Sequence, residues 1–147
     1  MKKNEKRISI IMAEDDEDDR IMVQDASVEA GITEPIRFVE NGEELMDFLQ
    51  HRNQYSQNKE SFSSTIILLD LNMPKLDGRK ALEEIKKNEA LRKIPVLILT
   101  TSNIKEEIIS AYNSGANSFI VKPFSFDFMV EIMRNIKNYW LETIALP

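Results

Sequence analysis

Short, nearly continuous apolar runs recur along the chain at residues 8–13 (ISIIMA), 36–39 (IRFV), 65–69 (TIILL), 96–99 (VLIL) and 118–121 (SFIV). Each is bounded by Pro, Gly, Asn or acidic residues, and none alternates apolar with polar. That pattern predicts strands covered on both faces rather than on one. Between the runs the apolar residues recur at helical spacing. Met22, Val23, Ala26 and Ala30 mark a first helix, which starts within the acidic stretch before it and stops at Gly31. Asn41-Gly42 reads as a turn, followed by a short helix with Leu45, Phe48 and Leu49 on one face. Gly78 opens a third helix through Ala81, Leu82 and Ile85. A fourth covers about 105–113 and ends before Gly115. The fifth covers about 126–139, with Met129, Met133, Ile136 and Trp140 as a core stripe flanked by Phe128, Ile132 and Tyr139. Residues 51–64 are mostly polar and read as a loop, with His51 a solvated side chain. Five strands alternating with five helices predict an α/β fold: a five-stranded parallel sheet, doubly wound, with right-handed crossovers. No internal repeat or linker divides the chain, so it is expected to form a single domain over 1–147, closed by a short apolar tail at about 140–147.

Parallel strands put all their C-terminal ends at one edge of the sheet, where ligands bind in open α/β folds. The residues falling there are distinctive. Glu14, Asp15 and Asp16 open a run of six acidic residues after the first strand. Asp70 follows the third, Thr100 the fourth and Lys122 the fifth. Asp70 by itself fits a turn cap as well as a ligand-facing carboxylate. The set is more specific than its members. Clustered carboxylates repel one another unless a cation neutralises them. Oxygen donors without His or Cys select a hard ion, here Mg²⁺, with Mn²⁺ as a substitute. A lysine and a hydroxyl at the same edge suit phosphoryl oxygens. A carboxylate is itself a nucleophile for phosphoryl transfer, so the edge reads as a site for a transient aspartyl phosphate.

Composition narrows the alternatives. Acidic residues number 25 against 19 basic, a net charge of -6. That balance argues against a nucleic-acid partner, which wants a basic footprint. There is no cysteine and one histidine, which excludes thiolate chemistry, a disulfide framework and a histidine-rich metal site. No signal peptide or membrane-spanning segment is evident, so a cytoplasmic location is expected.

The motifs Met12-Ala13-Glu14-Asp15-Asp16, the segment from Leu68 to Gly78 (LLDLNMPKLDG), Leu99-Thr100-Thr101-Ser102, Gly115-Ala116 and Lys122-Pro123-Phe124 together resemble the receiver domain of two-component response regulators. The resemblance covers nearly the whole chain and implies a flavodoxin-like (βα)5 receiver fold. It implies Asp70 as the phosphoacceptor, with Glu14, Asp15, Asp70 and the backbone carbonyl of Asn72 around the metal. Thr100 and Lys122 are implied to bind the phosphoryl oxygens, with Phe119 as the switch aromatic. Glu14 stands where many members have Asp, which leaves open whether it ligates the metal directly or through water.

The longer loop at 51–64 and the apolar tail are similar to single-domain regulators paired with bacterial phytochrome-type kinases. This implies a stand-alone receiver that takes a phosphoryl group from a sensor histidine kinase or a phosphotransfer protein. It is then a signalling module rather than an enzyme, catalysing only its own phosphorylation and dephosphorylation. A homodimer through helix 4, strand 5, helix 5 and the tail is expected from the apolar flank and tail and from the family habit, the alternative being that flank and tail fold back over their own domain. The rivals are a Mg²⁺-dependent phosphatase-like hydrolase, a constitutive pseudo-receiver binding module, and a flavodoxin-like nucleotide binder that lacks a Gly-rich phosphate loop.

Overall fold

A computed structural model describes residues 8–58 and 61–147. Five parallel strands, β1 (Ser9–Ala13), β2 (Arg37–Val39), β3 (Thr65–Leu69), β4 (Val96–Thr100) and β5 (Ser118–Val121), form one sheet in the order β2-β1-β3-β4-β5. Five helices connect or follow them: α1 (Glu17–Glu29), α2 (Gly42–Leu49), α3 (Gly78–Lys87), α4 (Lys105–Asn113) and α5 (Phe126–Ile136).

Side chains leave a strand alternately to its two faces, and here both faces are roofed by helices. Ile11, Ala13, Ile67, Leu69, Val96 and Ile98 pack under α2, α3 and α4 through Leu45, Phe48, Ala81, Leu82, Ile85 and Ala111. Ile10, Met12, Ile66, Leu68, Leu97 and Leu99 pack under α1 and α5 through Val23, Ala26, Met129, Val130, Met133 and Ile136. This is why β3 and β4, buried at every position, are almost wholly apolar; the edge strands β2 and β5, expected to be covered on both faces, are only partly buried.

The helix ends follow local chemistry. Gly31 (φ +89°) and Gly115 (φ +104°) take the left-handed conformation that glycine adopts without penalty. Gly31 donates to the Val28 carbonyl (3.0 Å) and Ile32 to that of Ser27 (2.9 Å); Gly115 donates to Tyr112 and Ala116 to Ala111, both at 3.0 Å. Both helices thus close in the same double-bonded C-terminal motif. Asp16 caps α1, accepting from the Asp19 amide at 3.0 Å. Asp77 caps α3, accepting from Arg79 and Lys80. Asn41 and Gly42, read from sequence as a turn, instead start α2, with Asn41 Oδ1 accepting from the Glu44 amide at 2.8 Å.

Two expectations need correction. The 51–64 segment is a loop as expected, and its rings anchor it: Tyr55 meets Phe48 edge-on at 5.0 Å, Phe62 lies 5.5 Å from Phe48, and the His51 ring stacks on Phe62. His51 is therefore half-buried rather than solvated, and its Nδ1 has no hydrogen-bond partner among the described residues. The tail is also not a free surface. The chain stays helical, in wider π-type turns, over Lys137–Thr143, and Trp140, Leu141 and Leu146 pack against the α1/α5 side of the core. Its end reaches the entry to β3, where Ser64 donates to the Pro147 carbonyl at 2.6 Å. Ile132, Trp140, Leu141 and Leu146 thus pack within the domain, while Phe128 and Tyr139 on the same flank stay exposed.

Candidate functional site

β1 and β3 are neighbours, with Ala13 in register with Leu69. Glu14 and Asp70 therefore emerge side by side, at the point where the strand order reverses and a crevice opens. On the other side of β3 come β4, ending at Thr100, and β5, whose Val121 is in register with Thr100. The sheet thus brings Glu14, Asp70, Thr100 and Lys122 to one edge.

Asp70 is almost fully buried, with 6% of its surface exposed. Its Oδ1 accepts from the Thr100 hydroxyl at 2.9 Å and from the Asn72 amide at 3.2 Å, and its Oδ2 lies 3.1 Å from Lys122 Nζ. Thr100 and Lys122 are themselves buried. Glu14 is fully buried: one of its oxygens takes the Asp16 amide at 3.2 Å and the other bonds Lys122. Arg20 pins the backbone at this point, donating to the Glu14 carbonyl at 2.8 Å.

Asp15 is exposed, yet Glu14, Asp15 and Asp70 each offer an oxygen within 4.8 Å of the others. That is close enough for a single hard cation, and the donor set is all oxygen. These residues fit a divalent metal, which supplies positive charge where carboxylate and phosphoryl oxygens meet.

The protonation tendencies agree with that balance. Burial pushes the Glu14 carboxyl up to about 7; the Lys122 bond pulls the other way, and the Asp70 charge adds to the rise. Burial draws Lys122 down, but its bond to Glu14, the charges of Asp70 and Glu14 and its bond to Asp19 together outweigh it, and the ammonium is raised. The two rises differ in origin: burial foremost raises Glu14, whereas the carboxylates of Glu14, Asp19 and Asp70 around one ammonium raise Lys122.

The remaining expected residues fall nearby. Asn72 follows Asp70 in the turn, its amide on the carboxylate as above. Phe119 of β5 is paired with Ile98 of β4 and packs, partly buried, against the α2/α3/α4 side of the core. Since Thr100 lies two residues beyond Ile98, Thr100 and Phe119 share that face of the sheet.

Sequence reading missed two sets of contacts. Asp19, three residues into α1, reaches back to Lys122 Nζ at 3.0 Å. Its spacing from Asp16 was the available signal, because it marks a capped helix start with the third residue near the cap. Arg79 spans three segments: it donates to the Leu71 carbonyl (3.3 Å) and Asn72 Oδ1 (3.4 Å) and pairs with Glu107, which in turn bonds the Ser102 hydroxyl. The Ser102 hydroxyl foremost, and then Arg79, hold the Glu107 carboxyl below its usual value. Nothing in the sequence separates this pair from ordinary surface charges.

Comparison with known proteins gives a consistent result. The family model for the response regulator receiver domain matches residues 10–134. Response regulator Rcp1 of Synechocystis sp. is 35% identical over 138 residues, covering 94% of this chain and 92% of that protein. Among solved structures, the phosphorylated cyanobacterial phytochrome response regulator RcpA superposes with a TM-score of 0.87 at 32% identity, covering 97% of this chain and 99% of that one. The Mn²⁺-bound form of Rcp1 superposes with a TM-score of 0.85 at 34% identity, covering 96% and 99%.

Proposed function

The chain belongs to the response regulator receiver family, and on that premise we propose that Asp70 is its phosphoacceptor in a Mg²⁺-dependent signalling reaction. One observation carries the reading: the Asp70 carboxylate is already held by the Thr100 hydroxyl, the Lys122 ammonium and the Asn72 amide. Those donors stand where a phosphoryl group on Asp70 needs them, so charge arriving there meets preorganised partners.

An Asp70 oxygen attacks the phosphorus of a phosphohistidine. The P–O bond forms as the P–N bond breaks, and the departing imidazole takes a proton from solvent. Lys122 and Thr100 then take phosphoryl oxygens in place of the carboxylate. Glu14, directly or through water, with Asp15, Asp70 and the Asn72 carbonyl would hold the Mg²⁺, which would supply positive charge there. Thr100, drawn toward the phosphoryl group, leaves space on the face it shares with Phe119, which moves into it; a local charge change thereby biases a two-state packing element. Later attack by water on phosphorus releases phosphate and restores the carboxylate. On this reading the chain catalyses only its own phosphorylation and dephosphorylation.

The donor is a sensor histidine kinase of the phytochrome type, directly or through a phosphotransfer protein. The similarity to RcpA, described as a phytochrome response regulator, supports this. A homodimer through α4, β5 and α5 is supported by exposed Ile109, Tyr112, Val121 and Phe128 on those elements. Among the described residues no helix is long and apolar enough to cross a membrane, and the reading places the protein in the cytoplasm.

Intact mass after incubation with acetyl phosphate tests the acceptor. The wild type gains one phosphoryl group with Mg²⁺ and none in excess chelator, and Asp70→Asn gains none. Equal labelling of the two proteins, or labelling in chelator, refutes the assignment.

A further inference from the structure

The six-residue acidic run divides by role. Glu14 and Asp15 belong to the metal-capable group, Asp16 caps α1, and Glu17 and Asp18 point to solvent in the first helical turn. Asp19 does something else. At a capped helix start the third residue commonly reaches back to the amide of the capping residue. Here Glu14 already takes the Asp16 amide at 3.2 Å. The Asp19 carboxylate is thereby released toward Lys122, and its Oδ2 sits 3.0 Å from Nζ with 38% of the side chain exposed.

Lys122 has three N–H donors and three carboxylate partners: Glu14, Asp19 and Asp70. Glu14 and Asp70 are also members of the metal-capable group, and Asp19 is not. A cation in the site draws on Glu14 and Asp70, and a phosphoryl group converts one Asp70 oxygen into the bridging oxygen of an acyl phosphate. Asp19 alone keeps its full charge on Lys122 through both events.

We propose that Asp19 is a positioning residue for phosphotransfer: it shares the Lys122 ammonium and thereby sets how strongly Lys122 grips a phosphoryl oxygen on Asp70. This rests on the phosphoacceptor reading above. Neutralising Asp19 leaves the same cation with one fewer competitor and removes a negative charge facing an incoming anion. The phosphorylated state is then bound more tightly than in the wild type. A role limited to the helix dipole, which any acidic residue in the first turn serves, predicts lower stability and no such gain.

The test is the affinity of the full chain for beryllium trifluoride with Mg²⁺, read by NMR titration, for the wild type, Asp19→Asn, Asp19→Glu and Asp70→Asn. Asp19→Asn binds roughly three- to tenfold tighter at low ionic strength, and the gain shrinks as salt screens the partly exposed charge. Asp19→Glu restores wild-type affinity, and Asp70→Asn does not bind. Unfolding curves confirm that the Asp19 variants are folded. If the wild type binds and Asp19→Asn binds equally or more weakly, the role assigned to Asp19 is wrong while the acceptor reading stands. If the wild type itself does not bind, or Asp70→Asn binds as well, the acceptor reading fails first.

Discussion

Gly78→Ala sets two physical effects against each other, and the structure decides between them. Alanine is favoured over glycine by about 1 kcal/mol in a helix interior, partly because it restricts the unfolded chain. Gly78 lies at the first position of α3, where that gain is smaller. A Cβ there meets the Asp70 carbonyl oxygen at 2.1 Å, the Leu71 Cα at 2.7 Å and the Asp70 carbonyl carbon at 2.9 Å. All three are backbone atoms at the end of the central strand, and contacts under 3.0 Å are essentially never seen for a real Cβ. The oxygen contact alone must open by 0.9 Å, the difference between 3.0 and 2.1 Å.

Overpacking of this kind costs about 1–3 kcal/mol, and rigid neighbours place this case toward the top. After the helix gain the net loss is about 1–2 kcal/mol, which lowers Tm by roughly 3–8 °C in a chain of this size. If the strand end yields, the 2.9 Å bond from Thr100 to Asp70 lengthens to as much as 3.8 Å and is lost. A misplacement near 1 Å slows a positioned reaction about a hundredfold. Thermal unfolding by circular dichroism, with acetyl phosphate labelling rates by intact mass, reads both effects. A Gly78→Ala protein that melts at or above the wild type and labels at the wild-type rate refutes the argument.

Two further outcomes are expected. Thr100→Ala removes a buried hydroxyl from Asp70 but leaves the carboxylate its bonds to Lys122 and Asn72. The loss is about 1.5 kcal/mol, the low end for a hydrogen bond to a charged group. Urea unfolding measures it, and a variant as stable as the wild type contradicts it. Glu107 is held below its ordinary value of 4.5 by Ser102 and Arg79. A depressed carboxylate contributes stability that is present above the unfolded value and lost as pH falls through the folded one. The Tm advantage of the wild type over Glu107→Gln is therefore full near neutrality and shrinks below 4.5; a gap unchanged by acid shows that the pair contributes nothing.

Much of the architecture is written locally. The central strands are legible because a chain buried on both faces has to be apolar at nearly every position, and that needs no knowledge of neighbours; the edge strands β2 and β5 are only partly buried and carry Arg37 and Ser118. The helix stops at Gly31 and Gly115 are legible because few other residues accept a positive φ. Asp70, Thr100 and Lys122 stand out because each ends an apolar run, and parallel strands deliver such ends to a common edge.

What the tertiary structure decided are the choices among equivalent side chains. Six acidic residues in a row look alike in sequence. Only the capped start of α1 and the Glu14 bond to the Asp16 amide turn Asp19, and not Asp18, onto Lys122. Arg79 and Glu107 are 28 positions apart and meet because α3 and α4 lie on the same face of the sheet. The 51–64 segment is mostly polar, yet Tyr55 and Phe62 find Phe48 and fix the loop. The apolar tail was compatible with a second molecule or with its own core. Its fate depended on whether the α1/α5 side of the sheet left room, and Leu141 and Leu146 fill that room. Local sequence carries which residues must be buried and where the chain must turn. Which charge meets which, and which apolar face covers another, depends on distances that exist only after the sheet has assembled.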